Sequence, residues 1–533
     1  MSFGTSFALT TRPTIMGRSA AVVAGHQLAT QAGVRMLRAG GSAIDAGIAM
    51  AAALAVLKPD ACGLGSDLFL LYGDAKTGSV HALNASGPAP RLATRDAFAD
   101  GTIPSFGLRA ASVPGAVDGW ERALGKFGRM KLADVIVPAI ELARGSPIST
   151  LFASTLAKNE DTLRRFAATR NAYYPNGNVP QAGEVLQQPE LVRTLEGIAD
   201  GGPAAFYRGE FARALDRYAR ETDAFLRAED LADYRSEWRE PLYGRYRGFE
   251  LVGQPPVSVG VAVLEAMHIL ERFPLADLAD LSADSIHVQV EAMKIAMHEA
   301  RTNVADPAFL TRDAVPELLD VRRAEEYARK LDTAHAASFD DARLFARAGT
   351  ETSYAAAIDE DGNAVSLLQS VYHVFGCGEV IPGTGVLMNN RMTAFSLDPS
   401  SPNCLEPGKR TLHTLNPLLV RKDGRAVMCM GTPGGPSQVY TNVALLTRVI
   451  DRGMELQRAI DAPRWFVTPG GDLHIETSVD EGVRTELIAR GHRVVEFPPH
   501  SAAFGGAGIL RINAAGVREA GADPRRETYA LAY

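Results

Sequence analysis

Cysteine is scarce in this chain. Cys62, Cys377, Cys404 and Cys429 are the only four among 533 residues, and no two stand at a CxxC spacing. That excludes a disulfide framework and a thiolate metal site, and fits a reducing compartment. An excess of charge is lacking too: 55 basic against 62 acidic residues leave a balance of −7. Without a long run of one sign, neither nucleic acid nor an anionic membrane is an expected partner. The apolar stretch 43–57 carries Asp45 and falls short of the ~20 residues that cross a bilayer. Met1–Phe7 has no basic start leading into an apolar core, so no secretory signal is read and the cytoplasm is the expected location. Repeats and low-complexity tracts are missing. The histidines are dispersed, and no Gly-rich piece carries the lysine of a phosphate loop, so no metal and no cofactor are expected.

What is present is an ordinary globular composition, 46% apolar, in a chain long enough for two or three domains. Helical spacing runs over 27–39 up to Gly40-Gly41, and the Ala-rich 43–57 reads as a tightly packed interior helix. A Gly-rich turn at 62–66 feeds an apolar strand through Tyr72. Residues 112–239 are mostly helical in pattern, strands return at 241–254, and helices resume at 261–272 and 283–303. The polar span 334–350 reads as an exposed linker. Beyond it, short strands at 386–388, 418–420 and 426–429 alternate with turns before a helix at 442–452. This is an α+β pattern.

Thr352 opens an alternating strand that runs into the Asp361-Gly362 turn. Taken alone, a threonine there is a β-former. If the chain were cut before it, however, its new α-amino group could take the proton from its own hydroxyl, giving nucleophile and base in one residue.

Several separate segments resemble the γ-glutamyltranspeptidase family of N-terminal-nucleophile hydrolases. They are 40–46, Ser112–Trp120, Asp230–Tyr234, Glu291–Lys294, Thr352–Val365, Asn389–Met392 and Gly431–Gly435, in that order. The resemblance implies a proenzyme that cleaves itself into residues 1–351 and 352–533. The two chains would stay together as an αβ heterodimer, intertwined in one four-layer αββα sandwich, so one folded unit replaces the several domains that length suggests. It also implies Thr352 as nucleophile and Ser370 as a second hydroxyl bonded to it. Gly434 and Gly435 would form the oxyanion hole, their backbone N–H groups meeting the charge that acyl transfer builds on oxygen.

The glutamyl clamp of the family does not carry over. Ser86 stands where the family has an arginine for the α-carboxylate, and Ala394 where an aspartate meets the α-amine. Tyr372 replaces an asparagine, and His413 and Thr414 replace paired serines. Losing the acid that meets an ammonium group removes the main preference for an amino acid. Arg391 stands in place of a neutral amide and can bind a carboxylate bidentately, with a structural ion pair as its other reading. His413 reads equally as a core histidine. The segment 396–409 is short for a lid. The expected partner is thus a small amide substrate bearing a carboxylate, with oxamate, giving oxalate and ammonia, as the first choice. A γ-glutamyl transferase or glutathione hydrolase, a dicarboxylic-acyl acylase of the cephalosporin type, and an inactive processed scaffold are the alternatives.

Overall fold

A computed structural model of the chain describes residues 10–98, 101–339 and 351–533. In chain order the strands of its two large sheets are β1 (Ile15–Gly17), β2 (Ala21–Ala24), β3 (Asp67–Gly73), β4 (Val80–Ala85), β5 (Glu237–Arg239), β6 (Leu242–Tyr246), β7 (Phe249–Gly253), β8 (Glu351–Ile358), β9 (Ala364–Tyr372), β10 (Leu418–Lys422), β11 (Arg425–Gly431), β12 (Gly508–Ile512), β13 (Arg518–Ala522) and β14 (Tyr529–Ala532). One seven-stranded sheet runs β14-β2-β8-β9-β3-β4-β5, the other β1-β13-β12-β11-β10-β7-β6. Every pairing within them is antiparallel. Phe69, Leu71, Tyr354 and Leu368 of the first sheet meet Val252, Leu419, Cys429 and Leu510 of the second in one apolar layer.

Helices cover both outer faces. Against the first sheet lie α1 (Gln27–Arg38), α2 (Ala43–Leu57) and α3 (Ala116–Phe127); against the second, α4 (Gly260–Leu270), α5 (Ala283–Asn303) and α6 (Ser437–Ile450). This is the four-layer αββα sandwich the sequence led us to expect. Sheets covered on both faces explain why β8 and β9 are buried along almost their whole length.

The chemistry of α2 shows why the first layer forms. Ser42 caps it reciprocally with Asp45, satisfying two orphan N–H groups. All fifteen of its residues are buried, which small side chains permit: a Cβ on Gly47 would press against Val365 of β9 at 2.9 Å. The β8–β9 hairpin turns through Gly362 at φ 86°, and Asp359 in that turn accepts from the Ala43 amide at 3.0 Å. The β8–β9 hairpin is thereby fixed to the start of α2.

One expectation changes. Helix α6 begins at Ser437 rather than 442, because the chain turns into it directly after Gly434-Gly435-Pro436. Its polar first turn is buried, with the Gln438 amide donating to the carbonyls of Thr414 and Thr432. The span 334–350 was expected to be an exposed linker. Residues 340–350 lie outside the described residues; of the rest, Ala334, His335, Ala337 and Ser338 are exposed, while Ala336 and Ala337 are tethered by backbone bonds to the Arg490 carbonyl (2.7 Å) and the Glu291 carboxylate (2.9 Å). Among the described residues, no helix is long and apolar enough to cross a membrane.

Candidate active site

Thr352 sits at the mouth of β8, 3% exposed. Its Oγ1 donates to the carbonyl oxygen of Glu351 at 2.7 Å, and Ser370 Oγ donates to the same oxygen at 2.6 Å. Ser370 Oγ in turn accepts the Tyr372 amide at 2.8 Å. The register explains how both hydroxyls reach one oxygen: Glu351 pairs with Tyr372, whereas Ser353 pairs with Gln369, so β9 carries one extra residue opposite Thr352. Such a bulge re-aims side chains at a strand mouth. The carbonyl before Thr352 therefore accepts from two hydroxyls at once.

The Glu351 side chain pairs with Arg526 at 2.6 Å. Burial pushes its carboxyl above the ordinary range, and the Arg526 cation opposes this. Arg526 also donates to the Ala502 carbonyl at 3.1 Å, the start of a loop whose Gly505 lies against Pro433 and Gly434. One cation thus braces both the residue before Thr352 and the glycine turn.

That turn joins β11 to α6. Gly434 and Gly435 take φ of 121° and 56°, and a Cβ on Gly434 would collide with the Ser437 hydroxyl, so glycine is required. Among the described residues, neither amide donates a hydrogen bond. Gly431, at the end of β11, lies against the ring of Tyr354, two residues along β8 from Thr352. Two unengaged N–H groups preceding a helix of fourteen residues suit a developing oxyanion.

Arg391 is wholly buried and forms an ion pair with Asp67, Nε to Oδ2 at 2.7 Å. The ion-pair reading of this residue holds, and among the described residues Nη1 and Nη2 have no hydrogen-bond partner. Asp67 lies opposite Ser370 in the β3–β9 pairing. Burial raises its carboxyl pKa, opposed by Arg391 and by the Gly87 amide, which donates at 2.9 Å. Tyr372 places its ring 4.2 Å from the guanidinium. Asn389 aligns the segment, accepting from the Arg391 and Ser112 amides while donating to the Gly65 carbonyl.

His413 is buried against the Phe69 ring at 4.8 Å, with neither ring nitrogen hydrogen-bonded. Burial, with the cations of Arg391 and Arg410, holds its pKa well below the ordinary histidine range, so it is a neutral imidazole. Ser86 turns its hydroxyl to Asn84 Oδ1 at 2.6 Å, next to the Gly87–Asp67 contact. Thr414 is nearly buried, and its carbonyl accepts from Asn416. Ser370 is thus not bonded to Thr352 itself, as the resemblance implied; the two hydroxyls meet on the Glu351 carbonyl. Tyr372 lies on Arg391, Ser86 is engaged locally, and the Thr414 carbonyl is tied to Asn416 and to Gln438 of α6. The short segment 396–409 folds back on itself, with Asn403 bonded to Ala394, Thr411 and Leu412.

Asp67 and Arg526 were not singled out from sequence. Asp67 did leave a signal, an acid opening an otherwise apolar strand, which demands a buried counter-charge. The histidines are also less dispersed than they read: His287 and His492 lie 2.8 Å apart beside Glu291. Their geometry could hold a metal, but Lys294 takes one Glu291 oxygen and the Ala337 amide the other. His287 is further held by the Asp332 carbonyl at 2.9 Å. The donors of this cluster are already used in anchoring 332–337.

The Gamma-glutamyltranspeptidase family profile matches residues 29–533. The chain is 36% identical over 525 residues to the glutathione hydrolase-like YwrD proenzyme of Bacillus subtilis, covering 97% of this chain and 99% of that one. It is 35% identical to the oxamate amidohydrolase proenzyme of Klebsiella pneumoniae, covering 96% and 98%. Among solved structures, a cephalosporin acylase from Bacillus halodurans superposes with a TM-score of 0.90 at 34% identity, over 100% of this chain and 99% of that one. Profile, full-length relatives and fold agree: the chain belongs to the γ-glutamyltranspeptidase family of N-terminal-nucleophile hydrolases, enzymes that act on amide C–N bonds.

Proposed function

We propose that the chain cuts itself between Glu351 and Thr352 and then hydrolyses the amide of a small carboxylate-bearing substrate, with oxamate as the first candidate. For the cut, Thr352 Oγ1 adds to the Glu351 carbonyl carbon while the Ser370 hydroxyl, 2.6 Å from the carbonyl oxygen, meets the charge that forms there. Collapse breaks the C–N bond, whose electron pair goes to the Thr352 nitrogen together with the proton lost from Oγ1, and leaves an ester between Glu351 and Oγ1 beside a free amine. Water cleaves that ester, giving Glu351 a carboxylate and returning the proton to Oγ1. Residues 1–351 and 352–533 are then separate chains of one folded unit.

In turnover, the freed α-amine takes the proton from Oγ1 as Oγ1 attacks the substrate amide carbon. The Gly434 and Gly435 amides receive the oxyanion. The amine leaves with the proton, and water, deprotonated by the same α-amine, hydrolyses the acyl-enzyme. Nothing in this sequence calls for a cofactor.

The observation that carries the substrate choice is Arg391: a buried guanidinium fixed through Nε by Asp67, with Nη1 and Nη2 unpartnered. That is the form in which arginine receives a carboxylate bidentately. Ser86 and Ala394, where the family clamps a glutamyl group, offer neither the cation nor the acid it needs. The similarity to an oxamate amidohydrolase supports the same choice. The fit to a cephalosporin acylase at a TM-score of 0.90 favours a dicarboxylic-acyl amide as the second reading, which uses the same guanidinium.

A substrate panel on processed protein tests this, with oxamate, a glutaryl amide and γ-glutamyl anilide compared for kcat/KM beside Arg391→Ala. We expect oxamate to lead and Arg391→Ala to lose about 10–100-fold, the worth of a charge-assisted pair. Equal or greater activity on the γ-glutamyl substrate overturns the choice, and an unaffected Arg391→Ala removes that residue from the site. Thr352→Ala should give an uncut, inactive chain.

A further inference from the structure

In the uncut chain Arg391 is closed to any substrate, because the residue is 0% exposed. What covers its π face is Tyr372, whose ring centroid lies 4.2 Å from the guanidinium carbon. Tyr372 holds that place in a backbone conformation that costs energy: φ is 85°, in the left-handed region that bulky side chains avoid. A strained residue persists where its surroundings over-determine it, and here those surroundings converge on the bond to be cut. Tyr372 is the strand partner of Glu351. Its amide is held by Ser370 Oγ at 2.8 Å, and that same hydroxyl is anchored on the Glu351 carbonyl at 2.6 Å. Breaking the Glu351–Thr352 bond converts this carbonyl into a terminal carboxylate that is no longer covalently part of β8. The strand partner of Tyr372 and the carbonyl on which Ser370 is anchored are thereby both altered at once.

We propose that Tyr372 is the specificity gate of Arg391: its ring covers the guanidinium in the precursor, and scission releases the ring so that a substrate carboxylate takes its place. The inference rests on the self-processing, carboxylate-amide reading above and adds to it the residue that decides when and to what the anion site opens. The exchange is favoured because a bidentate carboxylate satisfies Nη1 and Nη2, which a ring face leaves bare. Asp67 stays on Nε throughout and keeps the fork aimed. The gate also accounts for selectivity. Substrates without a carboxylate have nothing to displace the ring with, and the volume it vacates suits a short acyl group.

Phenylglyoxal, which condenses with accessible guanidinium groups, tests the gate when the Arg391 peptide is followed by mass spectrometry. Three proteins are compared: uncut Thr352→Ala, processed wild type, and uncut Thr352→Ala/Tyr372→Gly. Glycine removes the ring and accepts the positive φ. Should it unfold the protein, as judged by its melting curve, Tyr372→Asn replaces it, since asparagine also tolerates that conformation. The expected result is slow modification in uncut Thr352→Ala and at least about tenfold faster modification in the other two, matching a closed state that opens only as a minor population. Oxamate should protect Arg391 in the processed protein. Equal rates in cut and uncut chains overturn the gate, as does protection that survives loss of the ring. A wild type that stays uncut on a denaturing gel removes the self-processing reading and the trigger with it. A cut chain whose Arg391 remains protected overturns the gate alone.

Discussion

Two hydroxyls on one carbonyl oxygen set the site apart at the scale of single residues. In the proposed cut Thr352 would supply the attacking oxygen, while Ser370, at 2.6 Å, has the geometry to hold the oxygen that becomes negative. Removing one donor from a developing oxyanion typically costs about 10²–10³ in rate. Ser370→Ala should therefore slow self-cleavage by about that factor, whereas Ser370→Thr should retain most of it, because the oxygen is kept. Densitometry of the two bands on a denaturing gel against time measures this, and an unchanged half-time in Ser370→Ala would show that Ser370 takes no part. Thr352, Ser370 and the paired glycines could be singled out in the sequence because each lies in a local motif. Asp67 and Arg526 were not, because each acts through a partner far along the chain: Asp67 on Arg391 across 324 positions, and Arg526 on Glu351 across 175. No local pattern carries such a pairing. It becomes visible only when the fold brings a buried acid and a buried base together.

At the scale of elements, legibility followed capping and burial. The helices at 27–39, 43–57 and 283–303 were read almost to the residue because Gly-Gly stops, a capping box and an N-cap serine mark their ends. The start of α6 was missed because its first turn is polar and buried for the sake of the site rather than of the core. Helix α4 carries a feature that spacing alone does not disclose. It is buried on every side and includes Glu265, 1% exposed, with neither carboxylate oxygen hydrogen-bonded. Burial, with Glu299 nearby, pushes its pKa from 4.5 to about 8, against the pull of Arg323. The folded chain thus keeps this proton up to about pH 8, while the unfolded chain releases it near 4.5. Between those values the folded state binds more protons, so stability falls as pH rises through the window and levels off above it. Glu265→Gln should match wild type near pH 4.5 and exceed it increasingly towards pH 9, by about 5 kcal/mol as an upper bound. Urea unfolding at both pH values measures the difference. A constant offset across the range would mean that Glu265 titrates as an ordinary exposed acid.

For the whole molecule, the decisive property is how the two segments on either side of Thr352 share their sheets. In the first sheet, β8 and β9 of the later segment are flanked by β2 and β3 of the earlier one, with β14 beyond β2. In the second, β10 to β13 of the later segment lie between β1 and β7 of the earlier one. Each sheet is therefore stitched from both segments, and the apolar layer between the sheets draws on both as well. Pulling the segments apart would strip backbone hydrogen bonds along every one of those seams and expose that layer, at a cost far above what a single peptide bond contributes to holding them. Scission should thus change function without changing assembly. We expect processed protein to give two bands on a denaturing gel. In native buffer it should elute at the position of uncut Thr352→Ala, whose chain is 56.9 kDa, and unfold in urea as one transition for both chains. Residues 352–533 expressed alone should not bind the oxyanion or open the Arg391 site, because β2 and β3, which flank the hairpin, and Asp67, which aims the guanidinium, belong to the earlier segment. Elution of the two chains as separate species in native buffer would show that the seams do not hold, and with them the view that one folded unit carries the reaction.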